Sequence, residues 1–329
     1  MASTLASAQA PRKGITTRPW WPWAKRLATT TFFLLVAWLI VKQARTVEWG
    51  EVWEAARNQP AHTLAIAGLL GALSHLLYAT FDLLGRRYTG HTLGAPRVMA
   101  TTFVSYVFNL NFGSLVGGLA FRFRLYSRLG LDAPCIAQIV GISMLTNWLG
   151  YLLLAGGIFL LRPLDLPDDW RLAGHSLQVL GGVLILAALA YLAMCFTSKR
   201  RTLSLRGHEL PLPGGRMALL QVAMSCTNWM LMGGMVFVLL QQRVDYPTVL
   251  GVLLVAAIAG VITHVPAGLG VLEAVFAALL AGRVPQGELL GALLTYRAMY
   301  YLAPLALAIV MHLVMEARLP KQAAEAAAG

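Results

Sequence analysis

Acidic residues are scarce in this chain, 14 Asp and Glu against 26 Lys and Arg, and charged side chains of both signs make up only 12% of its 329 residues. So few charges cannot cover a soluble globular domain, and with 58% hydrophobic residues the composition excludes one. The three cysteines, Cys135, Cys195 and Cys226, lie inside apolar runs without a CxxC pair. That excludes a disulfide scaffold or a thiolate metal site and leaves buried packing. Also missing are HExxH, GxSxG, a Walker phosphate loop and histidines paired at metal spacing. No catalytic residue, metal or cofactor is therefore expected, and the chain reads as a non-enzyme. The net charge of +12 would suit nucleic acid, but the basic residues fall in short blocks between apolar runs. That is how cytoplasmic loops look, so no nucleic-acid partner is expected.

What the chain has in quantity is long apolar runs. A basic segment, 1–26, ends in Trp20, Trp21 and Trp23, placed for the interface belt. Runs follow at 27–41, about 61–84, 135–161, 177–196, 217–240 and 289–313, each long enough for a span, the first helped by snorkelling Arg26 and Lys42. An Ala-rich tail, 314–329, reads as disordered.

Two further runs, 98–119 and 248–282, are interrupted. Phe108–Leu119 contains Gly113, Gly117 and Gly118; Thr263–Leu280 contains Pro266, Gly268 and Gly270. Broken backbone is tolerated at membrane depth only where protein or water surrounds it. Read as re-entrant hairpins, the two runs leave every large basic block on one side, as the positive-inside rule requires. The expected fold is an all-α polytopic membrane protein with six full transmembrane helices and two re-entrant hairpins. Span, span, hairpin, span (27–161) recurs as span, span, hairpin, span (177–313). Three crossings per unit invert the second relative to the first, a recurring transporter plan. Both termini then lie in the cytoplasm.

The ionisable residues inside these runs are the candidates for function, because charge at membrane depth is costly. Arg122 follows the first glycine turn, where a half-helix beginning near Leu119 would point N–H groups at an anion. Arg124 and Arg128 share a face nearer the cytoplasm, as headgroup-touching residues would. Glu273 sits in the first turn of the second returning limb, and Arg297, beside Tyr296, Tyr300 and Tyr301, is its candidate ion-pair partner. Asp82, near the inner end of its span, either reaches the interface or joins the site. Asn111 at the first turn completes the set, with Gly117, Gly118, Gly268 and Gly270 permitting close backbone approach. Asn111 also fits, with Asn109, Asn147 and Asn228, an interhelical hydrogen bond; His75, His264, Trp148 and Trp229 fit packing.

The segment Gly117-Gly118-Leu119-Ala120-Phe121-Arg122 with the following RLYSRLGL, Pro266-Ala267-Gly268-Leu269-Gly270 with Glu273, and TYRAMYYLAP at 295–304 resemble the YbhN-type inner-membrane proteins. These are related to the membrane-embedded half of lysylphosphatidylglycerol synthases, and the likeness covers about 27–315. Many relatives carry an acidic residue where this chain has Leu119. The resemblance implies a multi-pass inner-membrane protein that moves phospholipids between leaflets, with anionic phospholipids as partners and no aminoacyl-transfer domain. Two alternatives stay open: a lipid-binding scaffold that transports nothing, and a secondary transporter of a small anion.

Overall fold

The computed structural model describes, besides single positions before Arg57, residues 57–161, 174–198, 202–205, 208–263, 265 and 268–328. The chain divides into two units, Met1–Trp49 and Gly50–Gly329. The first unit, with the expected span at 27–41, lies mostly outside the described residues, as does the acidic loop before α6. The second unit carries all that follows.

Its helices are α1 (Ala61–Ala79), α2 (Phe81–Thr89), α3 (Ala95–Phe112), α4 (Phe121–Arg128), α5 (Ala133–Leu161) and α6 (Gly174–Thr197). After a short β-hairpin come α7 (Gly215–Leu239), α8 (Tyr246–Thr263), α9 (Val271–Leu279), α10 (Gln286–Arg297) and α11 (Ala303–Ala328). Two π-helical segments, Ser114–Ala120 and Ala298–Leu302, join α3 to α4 and α10 to α11. Local chemistry sets the starts. Pro96 occupies the first turn of α3. Asp132 Oδ1 accepts from the Cys135 N–H at the start of α5, and Asp245 takes the Thr248 N–H at the start of α8.

Among the described residues, six stretches are long and apolar enough to cross a membrane: Ala61–Thr89, Ala133–Leu161, Ser176–Thr197, Gly215–Leu239, Tyr246–Thr263 and Gln286–Ala317. Five coincide with runs expected to span. The sixth, Tyr246–Thr263, is the descending limb of the second interrupted run, so length and composition alone do not mark it as re-entrant. Three details differ from the sequence reading. The basic loop holds an antiparallel pair, β1 (Thr202–Leu205) with β2 (His208–Pro211), pairing Thr202 with Pro211. The tail is helical through Ala328, since runs of alanine favour helix. The first returning limb starts at Ser114 rather than near Leu119, because Gly113 (φ 86°) already turns the chain.

Both interrupted runs fold back on themselves. The Ser114–Ala120 segment packs along α3, and α9 packs along α8. At Gly117 the approach is so close that a Cβ would lie 2.0 Å from the Asn109 nitrogen and 2.1 Å from the Phe108 carbonyl carbon. Backbone pressed on backbone cannot yield as a flexible side chain does. Gly117→Ala should therefore cost about 3 kcal/mol, at the upper end of overpacking effects, read as a fall in Tm of the detergent-purified protein. In the second hairpin, Gly270 starts α9 at φ 76°, a conformation an L side chain rarely adopts.

Contacts between helices come in matched sets. α1 lies on α7; α1 packs α3 as α7 packs α8; α3 packs α11 as α8 packs α5. Under the pairing α1/α7, α3–α4/α8–α9 and α5/α10–α11, each of these contacts maps onto its counterpart. Buried hydrophobics including Trp229, Met235, Leu250, Phe276 and Tyr296 fill the space between α7, α8, α9 and α10.

Candidate functional site

Eight of the nine residues singled out in the sequence fall into two clusters, one around each buried arginine, and Asn111 belongs to neither. The first is sealed. Asp82 is fully buried and Arg122 is 3% exposed. Arg122 Nε donates to Asp82 Oδ2 at 3.0 Å and Nη2 to Oδ1 at 3.2 Å, a bidentate pair. Nη1 also donates to the Gly118 carbonyl at 3.2 Å, Nη2 to Ser143 Oγ at 3.2 Å, and Tyr126 donates to Asp82 Oδ2 at 2.9 Å. Asp82 thus does not reach the interface. These bonds draw α2, the first hairpin and α5 together around one neutral unit. Gly117 belongs to this cluster only through its contact with α3.

The second cluster is more open. Arg297, 7% exposed, donates through Nε and Nη2 to both oxygens of Glu273, and through Nη2 to the Gly268 carbonyl at 2.7 Å. The Glu273 side chain retains 18% of its exposure. The guanidinium also stands over the Tyr301 ring, 5.6 Å from its centroid. The expected ion pair is present. Gly270 contributes by starting α9 so that Glu273 lies in its first turn, where a helix N-terminus favours a carboxylate.

Asn111 joins the first hairpin to the last membrane-length stretch. From the end of α3 its Nδ2 donates to the Val107 carbonyl at 2.9 Å and to the Tyr301 carbonyl at 3.3 Å, four residues beyond Arg297. Its Oδ1 is buried without a hydrogen-bond partner. Buried polar atoms normally find partners, so an orphan acceptor here marks a place where a donor fits.

Sequence reasoning missed two features. Tyr300 Oη lies 2.8 Å from Ser74 Oγ and 3.0 Å from Tyr106 Oη, and Ser74 donates to Asn228 Oδ1 at 2.8 Å. This network ties α1, α3, α7 and the Ala298–Leu302 segment together. Tyr300 was visible beside Arg297, but its partners Tyr106 and Ser74 are 194 and 226 residues away along the chain. The second feature is Glu316. Arg124 donates to its Oε1 at 2.9 Å and Arg128 to its Oε2, clasping α4 to α11 rather than standing in solvent. His75 packs against the Tyr300 ring at 4.4 Å, and the Trp229 indole donates to the Asn147 carbonyl at 3.2 Å, the packing roles expected of them. His264 lies outside the described residues. No disulfide joins the three cysteines, and no His, Cys, Asp and Glu set could hold a metal among the described residues.

Six membrane-length apolar stretches among the described residues, two helical hairpins and buried arginine–carboxylate pairs define a polytopic integral membrane protein. The chain belongs to the family described as the lysylphosphatidylglycerol synthase TM region, whose model matches residues 26–308. It is 46% identical over 304 residues to the inner membrane protein YbhN of Escherichia coli K12, covering 92% of this chain and 96% of that one. An uncharacterized Synechocystis protein is 30% identical over 276 residues, covering 83% and 85%. A phosphatidylglycerol lysyltransferase of Staphylococcus haemolyticus is 21% identical over 252 residues, 74% of this chain but only 28% of that enzyme. The protein is a multi-pass protein of the inner membrane, and its family points to a lipid-related role.

Proposed function

We propose that the protein moves phospholipids between the leaflets of the inner membrane, the anionic headgroup passing between the two hairpins while the acyl chains stay in lipid. The observation that carries this reading is the Arg297–Glu273–Gly268 group at the turn of the second hairpin, mostly buried but with part of the Glu273 carboxylate left accessible. An arginine at membrane depth is costly unless it serves a site or an ion pair. In this reading a lipid phosphate competes with Glu273 for the same planar donors, entering past the accessible edge of the carboxylate. The chain acts without enzymatic chemistry: Arg297 would take the phosphate, Glu273 would displace it again, and Asn111 would offer an acceptor to a headgroup hydroxyl. Both hairpins are read as re-entrant, from opposite leaflets, with the termini cytoplasmic.

The test is reconstitution into liposomes containing fluorescent phosphatidylglycerol, with leaflet exchange read by quenching from outside. Protein-dependent exchange is expected, and its absence at verified incorporation would overturn the proposal. One observation favours the scaffold alternative. Arg122 and Asp82 at the first hairpin are closed off among protein partners, as a non-transporting protein would have them. A scaffold would bind lipid in the same liposomes without exchanging it.

A further inference from the structure

Two cavities of similar size sit at opposite ends of the antiparallel pair α1 and α7. One, about 540 Å³, includes Glu54, Gln59, Leu239, Arg243 and Glu288, with Arg243 paired to Glu288 at 2.9 Å. The other, about 580 Å³, lies between α2 and the start of α7, on the side of the basic loops. Its lining separates into two kinds of surface. Leu84, Leu212, Met217 and Leu220 make an apolar floor, while Arg87 and Arg216 contribute two cations and no carboxylate lines it. Neither arginine makes a salt bridge among the described residues, whereas Arg122, Arg124, Arg128, Arg243 and Arg297 all do.

We infer that this cleft seats one anionic phospholipid of the cytoplasmic leaflet, its phosphate between Arg87 and Arg216 and the top of an acyl chain against Leu220 and Met217. Charge complementarity selects the headgroup: two guanidinium groups without a counter-ion match one phosphodiester and gain nothing from a zwitterionic lipid's ammonium. The floor selects a lipid over a free anion. Leu220 is 45% exposed and lies one turn into a membrane-length helix, so the cleft opens sideways toward acyl chains. The position supports the same occupant. Arg87 falls in the last turn of α2 and Arg216 in the first turn of α7, at the ends of two membrane-length stretches, where headgroups are met. Arg87 comes from the first repeat and Arg216 from the second, so the seat spans the junction between the halves. It deepens the lipid-handling reading of the family but does not need transport, because binding is measured separately from exchange.

The test is a titration of the detergent-purified full chain with short-chain phosphatidylglycerol, short-chain phosphatidylcholine and inorganic phosphate, followed by native mass spectrometry of retained lipid. Phosphatidylglycerol should bind tightest. R87Q/R216Q should weaken it about tenfold or more, the loss expected for charge-assisted contacts. R87K/R216K should restore part of it, and Arg97→Gln, an exposed arginine outside the cleft, should change nothing. All these substitutions are at exposed positions, so monodisperse protein with wild-type Tm is expected in each case. Equal affinity in wild type and R87Q/R216Q overturns the inference. So does phosphate binding as tight as the lipid, or phosphatidylcholine binding equal to phosphatidylglycerol. Loss of leaflet exchange with intact binding would instead count against the proposed function and leave the seat standing.

Discussion

Asp82→Ala should destabilise the protein more than any other single substitution at the two arginine clusters, by about 3–5 kcal/mol, because it leaves the Arg122 guanidinium buried without its counter-charge. Nothing nearby can replace the carboxylate. The remaining partners of Arg122, the Gly118 carbonyl and Ser143 Oγ, are neutral, and Tyr126 loses its acceptor as well. The expected readouts are low yield and a Tm fall of many degrees in detergent. Replacing both members by apolar residues of similar size, D82L/R122M, should recover much of the loss, since a buried ion pair and its hydrophobic replacement are often close in free energy. Recovery in the double variant identifies a stabilising unit. If D82L/R122M is stable yet inactive in leaflet exchange, Arg122 has a role in the headgroup path as well. Arg128→Gln provides the contrast. That arginine retains 36% of its side-chain exposure, and Glu316 keeps Arg124 as a partner, so solvent screening should hold the loss to about 1 kcal/mol or less.

The second large effect is expected on exchange. Arg297→Gln removes the only cation at the second hairpin turn among the described residues and should reduce phosphatidylglycerol exchange at least about tenfold. That is the loss expected when one charge-assisted contact of about 1.5–3 kcal/mol disappears from the path. Arg297→Lys should recover little, because an ammonium cannot reproduce the two-pronged donation to Glu273 together with the Gly268 contact. Glu273→Gln should act in the opposite sense on affinity. With the competing carboxylate gone, the lipid concentration giving half-maximal exchange should fall, while the maximal rate drops as release slows. Equal loss of affinity in R297Q and E273Q would mean that the pair only holds the hairpin, a structural role.

How much of this could be read from the chain depends on the range of each interaction. The five expected spans that fall among the described residues came from hydropathy alone and agree with membrane-length stretches within a few residues, because apolar length is a local property. The pairing of Glu273 with Arg297 was legible because both are isolated charges in apolar surroundings, 24 residues apart, and each needs a partner there. Asp82 and Arg122 met the same condition, but at 40 residues apart with a basic loop between them each also had a plausible interfacial role. Burial decided for the pair. Glu316 was hidden for a different reason. It stands among polar residues near the end of the chain, where a carboxylate needs no explanation, and only tertiary packing brings α11 against α4. The β-hairpin after α6 was hidden by the basic loop around it, whose charges read as a solvated connection.

The proposed headgroup path requires two helical hairpins approaching from opposite faces of the membrane, and paired cysteine labelling tests that most directly. In a background lacking Cys135, Cys195 and Cys226, Ser127→Cys reports the loop after the first hairpin and Ala281→Cys the loop after the second; both positions are exposed. In intact cells a membrane-impermeant maleimide should label Ala281→Cys and leave Ser127→Cys untouched until the membrane is opened. Labelling of both from the periplasmic side, or protection of both, would contradict the inverted arrangement and the headgroup path built on it.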